Sequence, residues 1–257
     1  MTRLKSQKTM ITKTELDKLV KKYETIEFFK DDPIGIPNRF TDKRDKEIAG
    51  FIASLVAYGR REIFIKKLNQ LLSIAENEPY NFIMNFEPKI LGDFNYRFGK
   101  PEDFAQIFEI LKKLYKSDGG LEKLFKYGYE NKIGGNMFVP ITDYFYSRAK
   151  EPEAMGFKFM IPDARKCSAM KRMCMYLRWM VRKGPVDFGI WDFMPASELL
   201  MPLDTHVARI SRQMGILTRS ANDFKAVLEL TENLKQFDPS DPVKYDFAIF
   251  GYGVNNK

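Results

Sequence analysis

The amino acids best suited to chemistry lie between Pro162 and Ile216, where a basic helix is followed by an acid at the start of another helix. Placing residues about 100° apart around the helix predicted from Ser168 to Lys183 puts Lys171, Arg178 and Arg182 on one line. Apolar side chains lie behind that line, so the helix is predicted to expose one cationic face. A row of guanidinium groups matches phosphate geometry, and we therefore predict that Arg178 and Arg182 bind nucleic acid. The alternative is that both pair with acids elsewhere in the fold.

The acid is Asp204, in the segment from Leu203 to Gly215. Its carboxylate can cap a helix by accepting a hydrogen bond from an amide of the first turn, an interaction worth about 1 kcal/mol. A capping carboxylate is held rigidly, which also suits a group that takes part in a reaction. His206 and Arg209 follow in the same helix and are predicted to contact phosphate, although His206 could equally be a packed core residue.

Two strings in this chain resemble known families. The segment Pro-Leu-Asp-Thr-His-Val-Ala-Arg-Ile-Ser-Arg-Gln-Met-Gly, residues 202–215, resembles the one that follows the helix-hairpin-helix in base-excision DNA glycosylases of the endonuclease III superfamily. More narrowly, residues 171–182 and 245–253 are similar to an uncharacterised bacterial family of unknown function, of the DUF2400 type, within that superfamily. The narrow resemblance extends from about Asp32 onward, and the wider one covers chiefly residues 162–216.

By position, the resemblance implies that Lys171 is the nucleophile and Asp204 the essential carboxylate of these enzymes. The Lys171 amine would attack the sugar carbon as the damaged base leaves, and the resulting Schiff base leads to strand cleavage. The implied function is a DNA glycosylase with AP lyase activity that acts on a damaged base in base-excision repair. A role directed at RNA is a separate and weaker alternative. Without the resemblance, Lys171 would be interpreted as a phosphate-contacting or simply solvated lysine.

The hairpin glycines that hold a DNA phosphate in the superfamily are missing, since no glycine occurs between Gly156 and Gly184. Arg165, Lys166 and Ser168 stand in that place. Phosphate contacts are therefore predicted to come from these side chains and from the amides at the helix start, where Ser168 is the predicted cap.

The connection between Lys171 and Asp204 spans 33 positions and is longer than usual in the superfamily, so residues 184–203 are interpreted as an insertion. Trp191 and Phe193 within it could stack on an extruded base, but so apolar a segment favours core packing for both. Together with the missing glycines, the insertion supports an alternative function, a non-catalytic nucleic-acid-binding protein that retains the glycosylase fold.

The composition favours a polyanionic partner and excludes several kinds of site. The chain has 42 Lys and Arg against 34 Asp and Glu, a formal net charge of +8. One histidine and two cysteines are too few for a zinc site or a four-cysteine iron-sulfur cluster. No glycine-rich nucleotide loop is present. We therefore predict that the protein uses no metal and no cofactor.

Two further features bear on the location of the protein. The longest apolar run, Phe51 to Tyr58, is too short to cross a membrane, and the N-terminal residues 1–11 lack a following hydrophobic region. Cys167 and Cys174 are separated by about 10 Å of rise if both lie on one helix, which is too far for a disulfide. These features predict a cytoplasmic protein without a membrane partner.

Helical spacing of apolar residues recurs along the chain, and no segment shows convincing strand alternation. Thr12 and Glu15 form a capping box that predicts a helix from Lys13 to about Phe28. The predicted fold is all-α, with about ten helices arranged as in the helix-hairpin-helix glycosylases. A groove is predicted between an N-terminal half and the 162–216 unit, in a single unit of residues 1–257 whose first eleven residues are flexible.

Arg60 and Arg61 lie at the junction between two predicted helices. In a protein of the glycosylase superfamily such a junction would approach bound DNA, so both are predicted to bind nucleic acid. The alternative is that they are solvated loop charges, which are common at surface junctions.

Overall fold

The computed structural model describes residues 11–29 and 32–255, so residues 1–10 of the stretch predicted to be flexible lie outside the described residues. The described chain contains thirteen α-helices. They are α1 Lys13–Tyr23, α2 Ile26–Phe29, α3 Lys43–Val56, α4 Arg61–Ile74, α5 Pro79–Asn85, α6 Pro101–Lys113, α7 Gly120–Glu130, α8 Phe138–Tyr146, α9 Met155–Met160, α10 Lys171–Val181, α11 Thr205–Gln213, α12 Phe224–Lys235 and α13 Asp246–Asn255.

Between the α-helices lie short turns of other helix types. A π-helical segment, Leu114–Asp118, extends α6. The 3-10 turns are Pro33–Gly35, Pro37–Arg39, Pro88–Leu91, Ala164–Lys166, Ala196–Glu198 and Pro242–Tyr245. Within residues 11–29 and 32–255 the only β-type pairings are three isolated bridges. The prediction of an all-α protein is confirmed. None of the helices in the described ranges combines the length and the apolar character needed to span a membrane.

The predicted start of the basic helix is wrong. The helix begins at Lys171 instead of Ser168, because Cys167 and Met170 adopt left-handed backbone with φ of 56° and 50°. Such backbone cannot continue a right-handed helix. The Ser168 hydroxyl accepts only a long 3.5 Å bond from the Met170 amide, and the residue before α10 makes no side-chain cap. Cys167 therefore lies outside the helix.

The N-terminal helix shows the predicted capping box. The Thr12 hydroxyl accepts from the Glu15 amide, and the Glu15 carboxylate accepts from the Thr12 amide. The helix ends at Tyr23, however, and the chain begins the short α2 at Ile26. The predicted single helix is therefore two helices.

Two glycines let the helices that carry the site approach one another closely. A Cβ on Gly50 of α3 would lie 2.6 Å from Cε of Met180, so α3 and α10 pack with almost no space between them. A Cβ on Gly253 of α13 would lie 2.7 Å from Cγ1 of Ile210 on α11. These close contacts fix α10 against α3 and α11 against α13, and the first residues of α10 and α13 line a common space.

The segment 184–203, predicted to be an insertion, contributes to the core. The Trp191 ring is 1% exposed, and its Nε1 donates to Oε1 of Glu47 at 2.8 Å. It packs edge-on against Tyr176, with ring centroids 5.4 Å apart. Phe193 packs beside it at 5.8 Å. Core packing, the favoured interpretation for both aromatics, is what the structure has.

A candidate nucleic-acid site at the starts of three helices

A cleft of about 840 Å³ opens where α10, α11 and α13 begin. The turn between α3 and α4, the first turn of α4 and Phe159 of α9 also line it. Of the residues predicted to act on or bind nucleic acid, six line this cleft: Arg60, Arg61, Lys171, Arg178, Asp204 and His206. Five do not line it: Arg165, Lys166, Ser168, Arg182 and Arg209.

Lys171 and Asp204 meet in this cleft. Lys171 is the first residue of α10, and Asp204 is the N-cap of α11. The Lys171 Nζ lies 3.4 Å from Oδ2 of Asp204. The other carboxylate oxygen, Oδ1, accepts a 2.8 Å hydrogen bond from the Val207 amide. One oxygen of Asp204 therefore caps the helix while the other faces the amine. The Lys171 side chain is 31% exposed and that of Asp204 is 20% exposed, so a ligand can reach both.

Two further carboxylates, which the sequence analysis did not single out, lie in the same cleft. Asp246 is the first residue of α13 and pairs with the Arg178 guanidinium. Burial raises the pKa of Asp246 to about 6, against the opposing effect of Arg178. Asp32 lies 3.7 Å from the Arg61 guanidinium, and burial likewise raises its pKa. The cleft thus contains three acids, each beside a cation.

Arg172 supplies a cation of a different kind. Its guanidinium donates to the backbone oxygens of Leu55, at 3.0 Å, and Phe159, and it lies over the rings of Tyr58 and Phe159 at 5.5 and 5.0 Å. No carboxylate pairs with it among the described residues. Burial lowers the pKa of Arg172 to about 10 and raises that of Tyr58 to about 12. Because a guanidinium has five N–H donors and two are used here, Arg172 retains donors for a ligand in the cleft.

The prediction that Arg178 and Arg182 form an exposed cationic face is wrong. Their side chains are only 2% and 5% exposed. Arg178 pairs with Asp187 at 3.1 Å and with Asp246. Arg182 pairs with Glu24, with Asp187 at 2.8 Å and with Asp241 at 2.8 Å. Arg178 lines the cleft, but its side chain is almost entirely buried there. The alternative interpretation, that both arginines pair with acids elsewhere in the fold, is confirmed.

The remaining predicted cations lie at the surface in different places. Arg60 is 78% exposed at the rim of the cleft, and exposed His206 lies at the start of α11. Outside the cleft, Arg165 makes a two-point contact with Asp143, at 3.0 and 2.6 Å, and Lys166 lies 3.8 Å from Asp163. Arg209 is exposed, and its guanidinium lies 3.5 Å from Oε1 of Gln213 and from the Gly253 oxygen of α13. The structure does not bring the hairpin-like cations together with Lys171.

Sequence signals existed for some of the residues that were missed. Asp246 lies within the string 245–253 that carries the family resemblance, and Arg172 directly follows Lys171. Asp32 stands where the resemblance begins. Tyr58 and Phe159 carry no comparable signal, because aromatic residues are frequent along this chain and most of them are core.

No group of three or more His, Cys, Asp or Glu side chains in the described part of the chain has a geometry that could hold a metal ion.

A family model described as a protein of unknown function (DUF2400) matches residues 32–255. No curated protein and no solved structure matches the chain.

Proposed function

Since this chain belongs to the DUF2400 family of proteins of unknown function, we propose its activity from the cleft itself: excision of a damaged base from DNA, with Lys171 as nucleophile and Asp204 as its carboxylate partner. The observation that carries the proposal is the 3.4 Å contact between the Lys171 amine and the Asp204 carboxylate. Both lie in a cleft large enough for a nucleoside.

The reaction first requires a neutral amine at Lys171. The Lys171 ammonium must lose a proton, and Oδ2 of Asp204 is positioned to accept it. The amine then attacks C1′ of the deoxyribose while the glycosidic bond breaks, and the bonding electron pair leaves with the base, which takes up a proton. Opening of the sugar gives an iminium between Nζ and C1′. Loss of a proton from C2′ then expels the 3′ phosphate and cleaves the strand.

The surroundings of the pair suit a nucleotide lifted out of a duplex. Arg60 and His206 provide donors at the exposed rim, where the phosphates of a bound strand would run. Tyr58 and Phe159 provide aromatic surface inside the cleft, with ring centroids 4.6 Å apart. Excision of a base requires both features together, because the base must leave the stack while the backbone stays bound.

Borohydride trapping tests the proposal. The full chain is incubated with a duplex that carries one abasic site, and hydride reduces the iminium at C1′ to a stable amine link. The wild type is expected to form a covalent complex, and Lys171→Ala is expected to form none while it keeps most of its affinity for the duplex. Lys166→Ala is the matched control, because Lys166 is 69% exposed, lies five positions away and does not line the cleft.

Two outcomes would overturn the proposal. One is trapping by Lys171→Ala at the wild-type level, which would mean that another amine reacts. The other is no trapping by the wild type with abasic duplexes or with duplexes that carry any of a panel of damaged bases. If salt-sensitive duplex binding remains in that case, the alternative of a non-catalytic nucleic-acid-binding protein replaces the proposal.

A further inference from the structure

The cleft contains a hydrogen-bond acceptor that the fold does not use. Oδ2 of Asp246 pairs with Arg178, but Oδ1 has no hydrogen-bond partner among the described residues. Oδ1 is not sealed from solvent, unlike the two unpartnered polar atoms that are fully buried in the described residues. The side chain is 12% exposed and lines the cleft. Oδ1 of Asp246 is therefore open to a ligand there.

An aromatic side chain stands one helical turn beyond this acceptor. Phe250 follows Asp246 by four positions on α13, and residues spaced in this way project from the same helix face. Both line the cleft. The Arg61 guanidinium lies 5.4 Å from the Phe250 ring centroid and helps to fix the ring in place. This face of α13 thus offers a flat apolar surface beside a carboxylate oxygen.

An independent observation concerns another residue that lines this cleft. Trp179 is fully buried and lines the cleft, yet its Nε1 donor has no hydrogen-bond acceptor among the described residues. The other orphaned buried atom, Oγ of Ser211, belongs to a residue that does not line the cleft. Buried indole N–H groups normally find a partner, so an unpaired one at a cleft marks a position that an acceptor on a ligand would satisfy.

We propose that Asp246, Phe250 and Trp179 form the recognition pocket for the excised base, and that the pocket selects bases with a ring N–H beside a carbonyl oxygen. The ring stacks on Phe250, its N–H donates to Oδ1 of Asp246, and its carbonyl accepts from Nε1 of Trp179 after a small shift of the indole. The assumption that the bound base is the one excised rests on the proposed function, but binding in the pocket can be tested without any bond cleavage.

The ionised carboxylate gives the pocket its preference. A carboxylate accepts hydrogen bonds and donates none, so a base whose ring nitrogen is capped by a methyl group loses the contact and leaves the acceptor unpaired. A hydrogen bond to a charged group is among the stronger ones, which predicts a preference of about tenfold or more for the uncapped base. Stacking on Phe250 contributes to both bases alike, because every base has a π face.

Tryptophan fluorescence can measure this preference directly. The chain has two tryptophans, so the variant Trp191→Phe leaves Trp179 as the only emitter. This protein is titrated with inosine, which has a ring N–H beside a carbonyl, and with 1-methylinosine, in which the same nitrogen is methylated. Inosine is expected to bind at least about tenfold more tightly. Asp246→Asn in the same background is expected to reduce that ratio below about threefold, whereas Phe250→Leu weakens both ligands by a similar factor and keeps the ratio.

A ratio of two affinities measured on one protein does not depend on how much of that protein is folded, so partial unfolding of Asp246→Asn cannot imitate the expected result. Equal binding of the two nucleosides, no binding of either, or a ratio that persists in Asp246→Asn would overturn the pocket. The outcome is separate from borohydride trapping. Borohydride trapping without a preference for inosine would support the glycosylase proposal and contradict the pocket. A preference for inosine without trapping would support the pocket and contradict the glycosylase proposal.

Discussion

The Lys171 amine lies 3.4 Å from the Asp204 carboxylate, although 33 positions separate the two residues in the chain. Each stands at the start of a helix, Lys171 in the first turn of α10 and Asp204 at the N-cap of α11. The two oxygens of Asp204 serve different partners, since Oδ1 binds the Val207 amide and Oδ2 faces Lys171. The capping and chemical interpretations of Asp204 are therefore compatible, and they can be separated by mutation.

The first prediction separates these two roles of Asp204. Asparagine caps helices as well as aspartate does, so Asp204→Asn should leave the melting temperature almost unchanged. It cannot accept a proton from Lys171, so the single-turnover rate of strand cleavage should fall about 100-fold or more. Asp204→Ala should lose the same activity and also about 1 kcal/mol of unfolding free energy. Wild-type cleavage rates in Asp204→Asn would show that the carboxylate has no chemical role.

The second prediction concerns Arg182, which the structure places in the interior. Arg182→Ala would leave the carboxylates of Glu24, Asp187 and Asp241 without their shared cation. Removal of one partner from a buried ion pair typically costs about 3–5 kcal/mol, and a loss of that size is expected in urea denaturation. Arg209→Ala is the control, because Arg209 is exposed and its removal should change the unfolding free energy by less than about 0.5 kcal/mol. A stable Arg182→Ala protein with weakened DNA binding would restore the rejected interpretation.

The third prediction concerns Arg60 at the rim of the cleft. If Arg60 contacts a phosphate, Arg60→Ala should reduce the slope of log K against log salt for a duplex with an abasic site by about 1. Lys89→Ala removes the same charge from a residue that is 85% exposed and does not line the cleft, and it should leave the slope unchanged. Equal slopes for both variants would show that Arg60 is a solvated charge.

The fourth prediction is a pH dependence that arises from Asp246. Burial raises the pKa of Asp246 in the folded protein to about 6 from an ordinary value of 3.8, with Asp204 and Asp32 adding to the rise and Arg178 and Lys171 opposing it. The folded state therefore binds more protons at this site than the unfolded state between those values. Its stabilising contribution is complete below about pH 4 and is lost as the pH rises to about 6.

Comparison with Asp246→Asn isolates this effect. The unfolding free energy of the wild type relative to Asp246→Asn should fall by about 2 kcal/mol between pH 4 and pH 7, measured by urea denaturation at each pH. The other buried acids with raised pKa values, Glu24, Asp32 and Glu47, are present in both proteins and largely cancel. If the difference in unfolding free energy between the wild type and Asp246→Asn is constant with pH, or shifts in favour of the wild type as the pH rises, the raised pKa of Asp246 is contradicted.

Local sequence patterns determined much of the secondary structure. The capping box at Thr12 and Glu15 and the cap at Asp204 are present as predicted, because a cap depends only on residues within one turn of it. The all-α character follows from the helical spacing of apolar residues, which is also local. The start of α10 was missed because Cys167 and Met170 adopt left-handed backbone that their residue types do not favour.

Tertiary structure alone decided which of these cations are buried and which remain exposed. A helical pattern puts Lys171, Arg178 and Arg182 on one line, but it does not say which part of that line other elements cover. Acids 59 and 68 positions away pair with Arg182 and Arg178, which are buried, whereas the Lys171 side chain remains 31% exposed in the cleft. Local patterns determined which segments are helical, and the residue types determined which positions carry charge. Packing decided which charges meet, because burial depends on partners that are distant in the chain and near only after folding.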